Sequence, residues 1–362
     1  MDTREEPGVL TDGETYWRER YEWLKHTGYT LRPRYEPKWE PSWKHTGKSR
    51  FQAEDGIRAK TSKVLDAVRA KDGQIVVIKH ESKSIHPHEC DIAVFLSSPP
   101  LSTDPRNHCC PILEVIDDPY DADECLMVMP LLRKYNDPKF ATVGEAVEFF
   151  RQAFEGVQFM HENHVAHRDI SRLNIMMDPK PILPELFHPQ RPWRMLDGRR
   201  EVRPYTRTAR PVKYYFMDFG LSRRYSPEET NPLEEPIIGG DKTVPEFQND
   251  PETPRNPFHT DVYYMGNLIR RDFCEIYTNF KFMNSLIERM VQDEPSKRPT
   301  MDEVVSEFAA IRAKLSCWKL RERLVERRDS VFMNVLKDVH HVSTRAVPNL
   351  LSLRKPIPTP SP

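Results

Sequence analysis

The chain has 362 residues, with 54 Lys and Arg against 55 Asp and Glu and a net charge of −1. That balance gives no global field that argues for nucleic acid or an anionic membrane, and no apolar run approaches the roughly 18 residues of a membrane span. A hydrophobic fraction of 38% suits a globular protein, while 33 prolines against 13 glycines put much of the chain in loops and extended segments.

Residues 1–54 hold four of the six tryptophans, Trp17, Trp23, Trp39 and Trp43, among many basic residues and prolines. A short helix over 14–26 is expected. Its aromatic face either packs on the following domain or, with the interleaved cations, stacks on single-stranded nucleic acid; packing is the reading preferred. Val64 to Arg69 and Gln74 to Lys79, joined by Asp72-Gly73, predict a hairpin. From Glu89 the pattern is helical, with Ile92, Phe95 and Leu96 inward. Leu126 to Met129 reads as a buried strand, followed by Pro130-Leu131-Leu132.

Val147, Phe150, Phe154, Val157 and His161 recur at three and four residues and predict a helix from Val143 to about Asn163. His167-Arg168-Asp169 and Asn174 follow, just ahead of the apolar run Ile175-Met176-Met177. Residues 179–211 carry seven prolines and seven arginines against Glu185, Asp197 and Glu201, a composition that opposes regular structure. They read as a solvated loop or as a surface for an anionic partner.

Downstream, Tyr215-Phe216-Met217 leads into Asp218-Phe219-Gly220, and the segment to Glu246 is acidic, flexible around Gly239-Gly240, with Ser226, Thr230 and Thr243 as candidate phosphate acceptors and Arg168 expected to hold such a phosphate by charge-assisted bonds. Asp261 is expected to cap an apolar helix, and Thr300 with Glu303 forms a capping box. Residues 316–341 form a cationic amphipathic stretch, either docked or lying on a membrane surface. Arg354 to Pro362 is proline-rich and expected to be disordered. The six cysteines (Cys90, Cys109, Cys110, Cys125, Cys274, Cys317) lack CxxC spacing and read as reduced, so a cytoplasmic or nuclear setting is expected.

An acid and an amide five residues apart, Asp169 and Asn174, suit phosphoryl transfer, where the acid accepts a hydroxyl proton and the amide holds a metal. The order of Lys79 closing a β-branched strand, then His167-Arg168-Asp169 with Asn174, then Asp218-Phe219-Gly220, resembles the eukaryotic protein-kinase superfamily. Val244-Pro245-Glu246, Asp261 to Gly266 and Arg298 extend the likeness, which runs from about Asp55 to Leu315. In wording the chain looks like a divergent kinase-like group of mushroom-forming fungi.

The resemblance implies an α+β, bilobal protein-kinase-like fold: an N-terminal extension (1–54), a small β-rich N-lobe (55–132), a larger helical C-lobe (133–315, with 179–211 inserted) and a C-terminal helix and tail (316–362). It implies a protein substrate, with ATP and Mg2+. Asp169 would be the base, with Arg168 and Arg172 beside it, and Asn174 and Asp218 would hold the metal. Lys79, paired with Glu89, would carry the phosphates, with Asp91 and Glu81 as alternative partners. Val64, Ala67, Met129, Leu131 and Met176 would line the nucleotide, and Arg298 would pair with Glu246.

Two departures stand out. The phosphate-loop glycines would fall at Ile57, Ala59 and Ser62, and a side chain at each is expected to hold the loop off the nucleotide or stiffen it. Ser171 also occupies the position where Ser/Thr kinases of the family carry a lysine. These departures favour a pseudokinase scaffold as a second reading, and a small-molecule kinase on the same fold, which shares the Asp169 and Asn174 spacing, is a third that Glu246, Asp261 and Arg298 oppose.

Overall fold

A computed structural model describes residues 8–47, 49–183, 185–237 and 239–360. The chain forms two compact units, one of Met1–Cys90, Pro111–Leu131 and Leu183–Arg203, the other of Asp91–Cys110, Leu132–Ile182 and Pro204–Pro362.

The first unit is built on an antiparallel sheet of β1 (Tyr29–Leu31), β2 (Val64–Arg69), β3 (Ile75–Ser82), β4 (Glu114–Asp117) and β5 (Glu124–Pro130), in the order β1-β2-β3-β5-β4. The Asp72-Gly73 turn joins β2 to β3, with Gly73 at φ +67°. Because side chains alternate along a strand, register sorts the sheet into two faces. Leu65, Ala67, Val76, Ile78, Leu126 and Val128 share one face, which packs against Trp17, Tyr21 and Leu24. Val64 opposite Lys79, and Val77 opposite Met129, lie on the other.

The expected 14–26 helix is two helices, α1 (Asp12–Glu19) and α2 (Tyr21–His26), broken at Arg20, whose guanidinium turns aside to Asp118 at 2.5 Å. Trp17 is fully buried. Burying an indole of about 150–250 Å2 contributes roughly 4–6 kcal/mol at 25 cal/mol per Å2, and a ring so buried is not available to stack on a base. Packing is thus the role of Trp17. Beneath it Arg34 meets Glu14 with two hydrogen bonds of 2.6 and 3.0 Å.

The inserted segment departs most from expectation. Its middle, Leu183–Arg203, belongs to the first unit, and it contains a hairpin of Phe187–His188 and Arg191–Met195. Proline did not prevent this, because Pro189 lies in the turn and Pro192 falls where the two short strands are out of regular register. Three arginines of this middle part are engaged: Arg191 donates to Phe51 O at 2.7 Å, Arg194 to Arg199 O at 2.7 Å, and Arg200 binds Asp197 and Glu185. Arg207, in the second unit, is buried and donates to the carbonyls of Tyr135 and Pro138.

The second unit is organised around the helix Val143–Glu162, which packs on Met301–Ala313 and on the strand Tyr214–Phe216. That strand pairs with Ile175–Met177, which pairs in turn with Arg133–Lys134. The helix expected to start at Asp261 runs over Pro257–Ile269 instead. Asn256 caps it by accepting from Phe258 N, and Pro257 is pre-set for the first turn, which leaves Asp261 inside the helix and free for another task.

The tail, expected to be disordered, is docked on the second unit over its described residues. Thr359 donates to Glu148 at 3.2 Å, and a side chain on Gly144 would lie 1.9 Å from Pro356 O, so the missing Cβ is what admits the tail. The six cysteines are unbridged, and among the described residues no helix is long and apolar enough to cross a membrane.

Candidate active site

In the first unit, Lys79 Nζ lies 2.5 Å from Glu89 Oε1, the first residue of the helix Glu89–Ser97. Glu81, one of the alternatives, also approaches Lys79, at 3.2 Å, and is shared with Lys63 at 2.5 Å. Burial opposes ionisation of Glu81, but the two lysines hold its carboxyl below the ordinary value. Lys79 thus sits between two carboxylates.

The sheet faces correct one residue. Val64 and Met129 are on the same face as Lys79, but Ala67 is three residues from Val64 and points to the opposite face, into the core with Trp17. Val77, opposite Met129 and two residues before Lys79, lies on the Lys79 face instead. Counting alternation back from Lys79 would have found it in the sequence. Leu131, half-buried, follows the end of β5.

The segment at 57–62 is braced on three sides. Arg32 donates to Ile57 O at 2.8 Å, Gln190 accepts from Lys60 N at 3.2 Å, and Trp17 donates to Ser62 O at 2.8 Å. Gln190 also donates to Asp66 at 2.9 Å, on the face that carries Lys79. The extension and the insertion therefore hold the loop that lacks glycines, a role the composition of neither segment announced.

In the second unit the His167–Asn174 loop is clamped by the buried Asp261, which accepts from His167 N and Arg168 N, both at 2.7 Å. Two amides on one carboxylate form a charge-assisted pair and fix the turn in which Arg168 takes φ +65°, a left-handed conformation that costs a non-glycine residue about 1–3 kcal/mol. Asp218 has the same φ of +65°. His167 joins the two motifs, its Nε2 lying 3.1 Å from Met217 O.

Asp169 receives Asn174 Nδ2 on Oδ2 and Gly240 N on Oδ1, each at 2.8 Å. Burial pushes its pKa above the usual aspartate value, and the Asp218 charge adds to the rise, against the Gly240, His167 and Asn174 contributions. Asn174 spends its amide on Asp169, so its side-chain oxygen is the acceptor that remains. Asp218 and Asn174 offer hard oxygen donors, fitting Mg2+, which completes its shell with water and phosphate oxygens. Among the described residues no group of three His, Cys, Asp or Glu is placed to hold a metal. Met176 is half-buried on the strand beyond Asn174.

Residues 58–237 match the family model of the protein kinase domain. The fold is that of a protein kinase. No curated protein matches the chain.

The second unit also holds the remaining residues that the sequence singled out. Arg298 grips Glu246 with two hydrogen bonds of 2.7 and 2.6 Å, both side chains buried. Arg168, expected to hold a phosphate, is ion-paired with Glu234 at 3.3 Å and donates to Leu221 O and Glu235 O. Thr243, one of the three acceptor candidates, is tied to Asp241, Tyr263 and Asn267. Arg172 is exposed, its guanidinium 3.9 Å from Asp272.

Proposed function

We propose that the protein is an ATP-dependent protein kinase that phosphorylates serine or threonine. The observation that carries this reading is the hydrogen-bonded pair of Asp169 and Asn174 on a loop whose backbone Asp261 clamps. In it Asp169 takes the proton of the acceptor hydroxyl, and Asn174 and Asp218 supply oxygens for Mg2+. Lys79, aligned by Glu89, holds the nucleotide phosphates, with Val64, Val77, Met129, Leu131 and Met176 as its apolar surroundings. The bound metal supplies charge neutralisation as phosphate is transferred, and positioning and electrostatics do most of the rest.

The braced 57–62 segment favours a second reading, a pseudokinase in which a stiffened loop binds nucleotide weakly and the domain serves as a scaffold. Arg172, held toward Asp272, agrees with it. One experiment separates the two. A kinase gives a thermal shift with millimolar Mg-ATP, about 2.7 kcal/mol at a hundred times the dissociation constant, and transfers phosphate from labelled ATP. Asp169→Asn keeps the shift and loses about 10²-fold or more in transfer, whereas Lys79→Met reduces both. Nucleotide binding without transfer in any form leaves the scaffold.

A further inference from the structure

The helix Val331–His341, continued through residue 351, is docked the wrong way round for a soluble protein. Its polar side faces the second unit. Arg323 donates to Asp338 at 2.5 Å and to Asn334 at 2.7 Å, Lys337 pairs with Asp329 at 2.8 Å, and the buried His341 hydrogen-bonds to Arg321 O at 2.9 Å. Its apolar side faces out. Val331, Phe332, Val335, Leu336 and Val339 recur at three- and four-residue spacing, and Phe332 and Val339 are 71% and 65% exposed. Beyond it, Val342, Val347 and Leu350 line a cavity shared with Asp338 and His341, and Leu351 is exposed at the end of a helical span of about 30 Å at 1.5 Å per residue.

An amphipathic helix on a globular domain normally buries that stripe, and a contiguous exposed one marks an interaction site. The charge around it selects the partner. Residues 316–355 contain nine Lys and Arg against four Asp and Glu, in a chain whose net charge is −1, so this end is cationic while the remainder is acidic. Arg327 and Arg328 precede the helix and Arg354 and Lys355 follow it, one cationic pair at each end, and Trp318 stands 72% exposed nearby. An apolar stripe with cations at both ends and an indole beside it is the composition of a helix lying in a lipid interface, and the cations complement anionic headgroups.

We propose that the face of residues 331–341 seats the protein on an anionic lipid surface, with Phe332, Leu336 and Val339 entering the acyl boundary and the flanking arginines and Lys355 meeting headgroups. The test is co-sedimentation of the full chain with vesicles of phosphatidylcholine containing 30% phosphatidylserine, and with phosphatidylcholine alone. Binding to the anionic vesicles is expected, falling steeply in 0.5 M KCl. Phe332→Ser/Leu336→Ser/Val339→Ser changes only exposed positions and is expected to lower partitioning about tenfold or more with an unchanged melting temperature. Arg327→Gln/Arg328→Gln/Lys355→Gln is expected to weaken anionic binding alone. Wild type remaining in the supernatant with both vesicles overturns the proposal. So does a lipid-free dimer, seen by light scattering and abolished by the triple serine variant, which would assign the face to a second copy.

Discussion

The Gly240 amide donates to Asp169 Oδ1 at 2.8 Å, so the segment after Asp218 reaches back onto the carboxylate proposed to act as base. A side chain on Gly240 would lie 3.1 Å from that oxygen and 3.3 Å from Ser171 Cβ. The amide stabilises the ionised form and thus opposes the effect of burial. Asp169, with its pKa raised above 3.8, is expected to give an acid limb in kcat/KM above that of an ordinary aspartate. Gly240→Pro removes the donor and is expected to move the limb further upward; a pH profile of peptide phosphorylation measures it. An unchanged limb would mean that the contact has no influence on the ionisation governing the reaction.

Glu234 supplies Arg168 with a permanent anion, and its other oxygen accepts from Tyr225 at 3.0 Å. Phosphatase treatment is therefore expected to leave activity unchanged. Glu234→Gln is expected to cost about 1 kcal/mol, since it weakens charge-assisted hydrogen bonds at a partly exposed site. A large loss of activity on dephosphorylation would show that the carboxylate does not substitute for phosphate.

Arg298 and Glu246 illustrate the asymmetry of buried ion pairs. Removing one partner strands the other, so Arg298→Leu or Glu246→Leu alone is expected to cost about 3–5 kcal/mol. The double variant strands neither and is expected to be less destabilised than either single one. Urea denaturation of the three proteins tests this, and additivity would contradict it.

The first unit is expected to be acid-labile. Burial opposes ionisation of Glu14, Glu54 and Asp55, yet all three carboxyls are held below their ordinary values: Glu14 by Arg34 and Thr11, Glu54 by His188 and Arg32, Asp55 by Ser42 and Trp39. Depressed values contribute stability that is present above the unfolded values of 3.8–4.5 and lost as pH falls through the folded ones. Trp39 donates to Asp55 at 2.9 Å, so tryptophan fluorescence should be flat above about pH 4.5 and change cooperatively below it. Glu14→Gln is expected to weaken the unit at neutral pH and blunt the change in acid.

Deleting residues 183–203 is expected to lower the melting temperature and expose Asp66, Glu54 and the Lys60 amide. Unchanged stability after the deletion would restore the view of this segment as a solvated loop.

Local pattern made much of this legible. The Val64–Lys79 hairpin, the helix from Val143, the Thr300 capping box and the pairs Lys79–Glu89 and Arg298–Glu246 all rest on short-range periodicity or motif order. Ala67 was misassigned because motif matching ignores the two-residue alternation that puts it on the other face from Val64. The Phe187–Met195 hairpin was missed because its strands are short and proline-bearing, and what holds them, Gln190 to Asp66 and Arg191 to Phe51, is more than a hundred residues away in sequence. Glu234 could not be distinguished from its acidic neighbours, since its role depends on where Arg168 sits. The outward face of 331–341 showed within the amphipathic stretch of 316–341, but periodicity gives the stripe and not which side of the helix is docked, and residues 342–351 were not read as its continuation.

The first unit's three stretches impose an order on synthesis. After Leu131 the ribosome must add 72 residues before Arg203 exists, about 4–14 s at roughly 5–20 residues per second. Through that interval the sheet and its tryptophan-packed extension can form, but Asp66, Glu54 and the 57–62 loop lack the hairpin that completes them. The nascent chain therefore carries a half-finished domain while most of the other is still being made, and a chaperone that shields this loop face would act before release rather than after it.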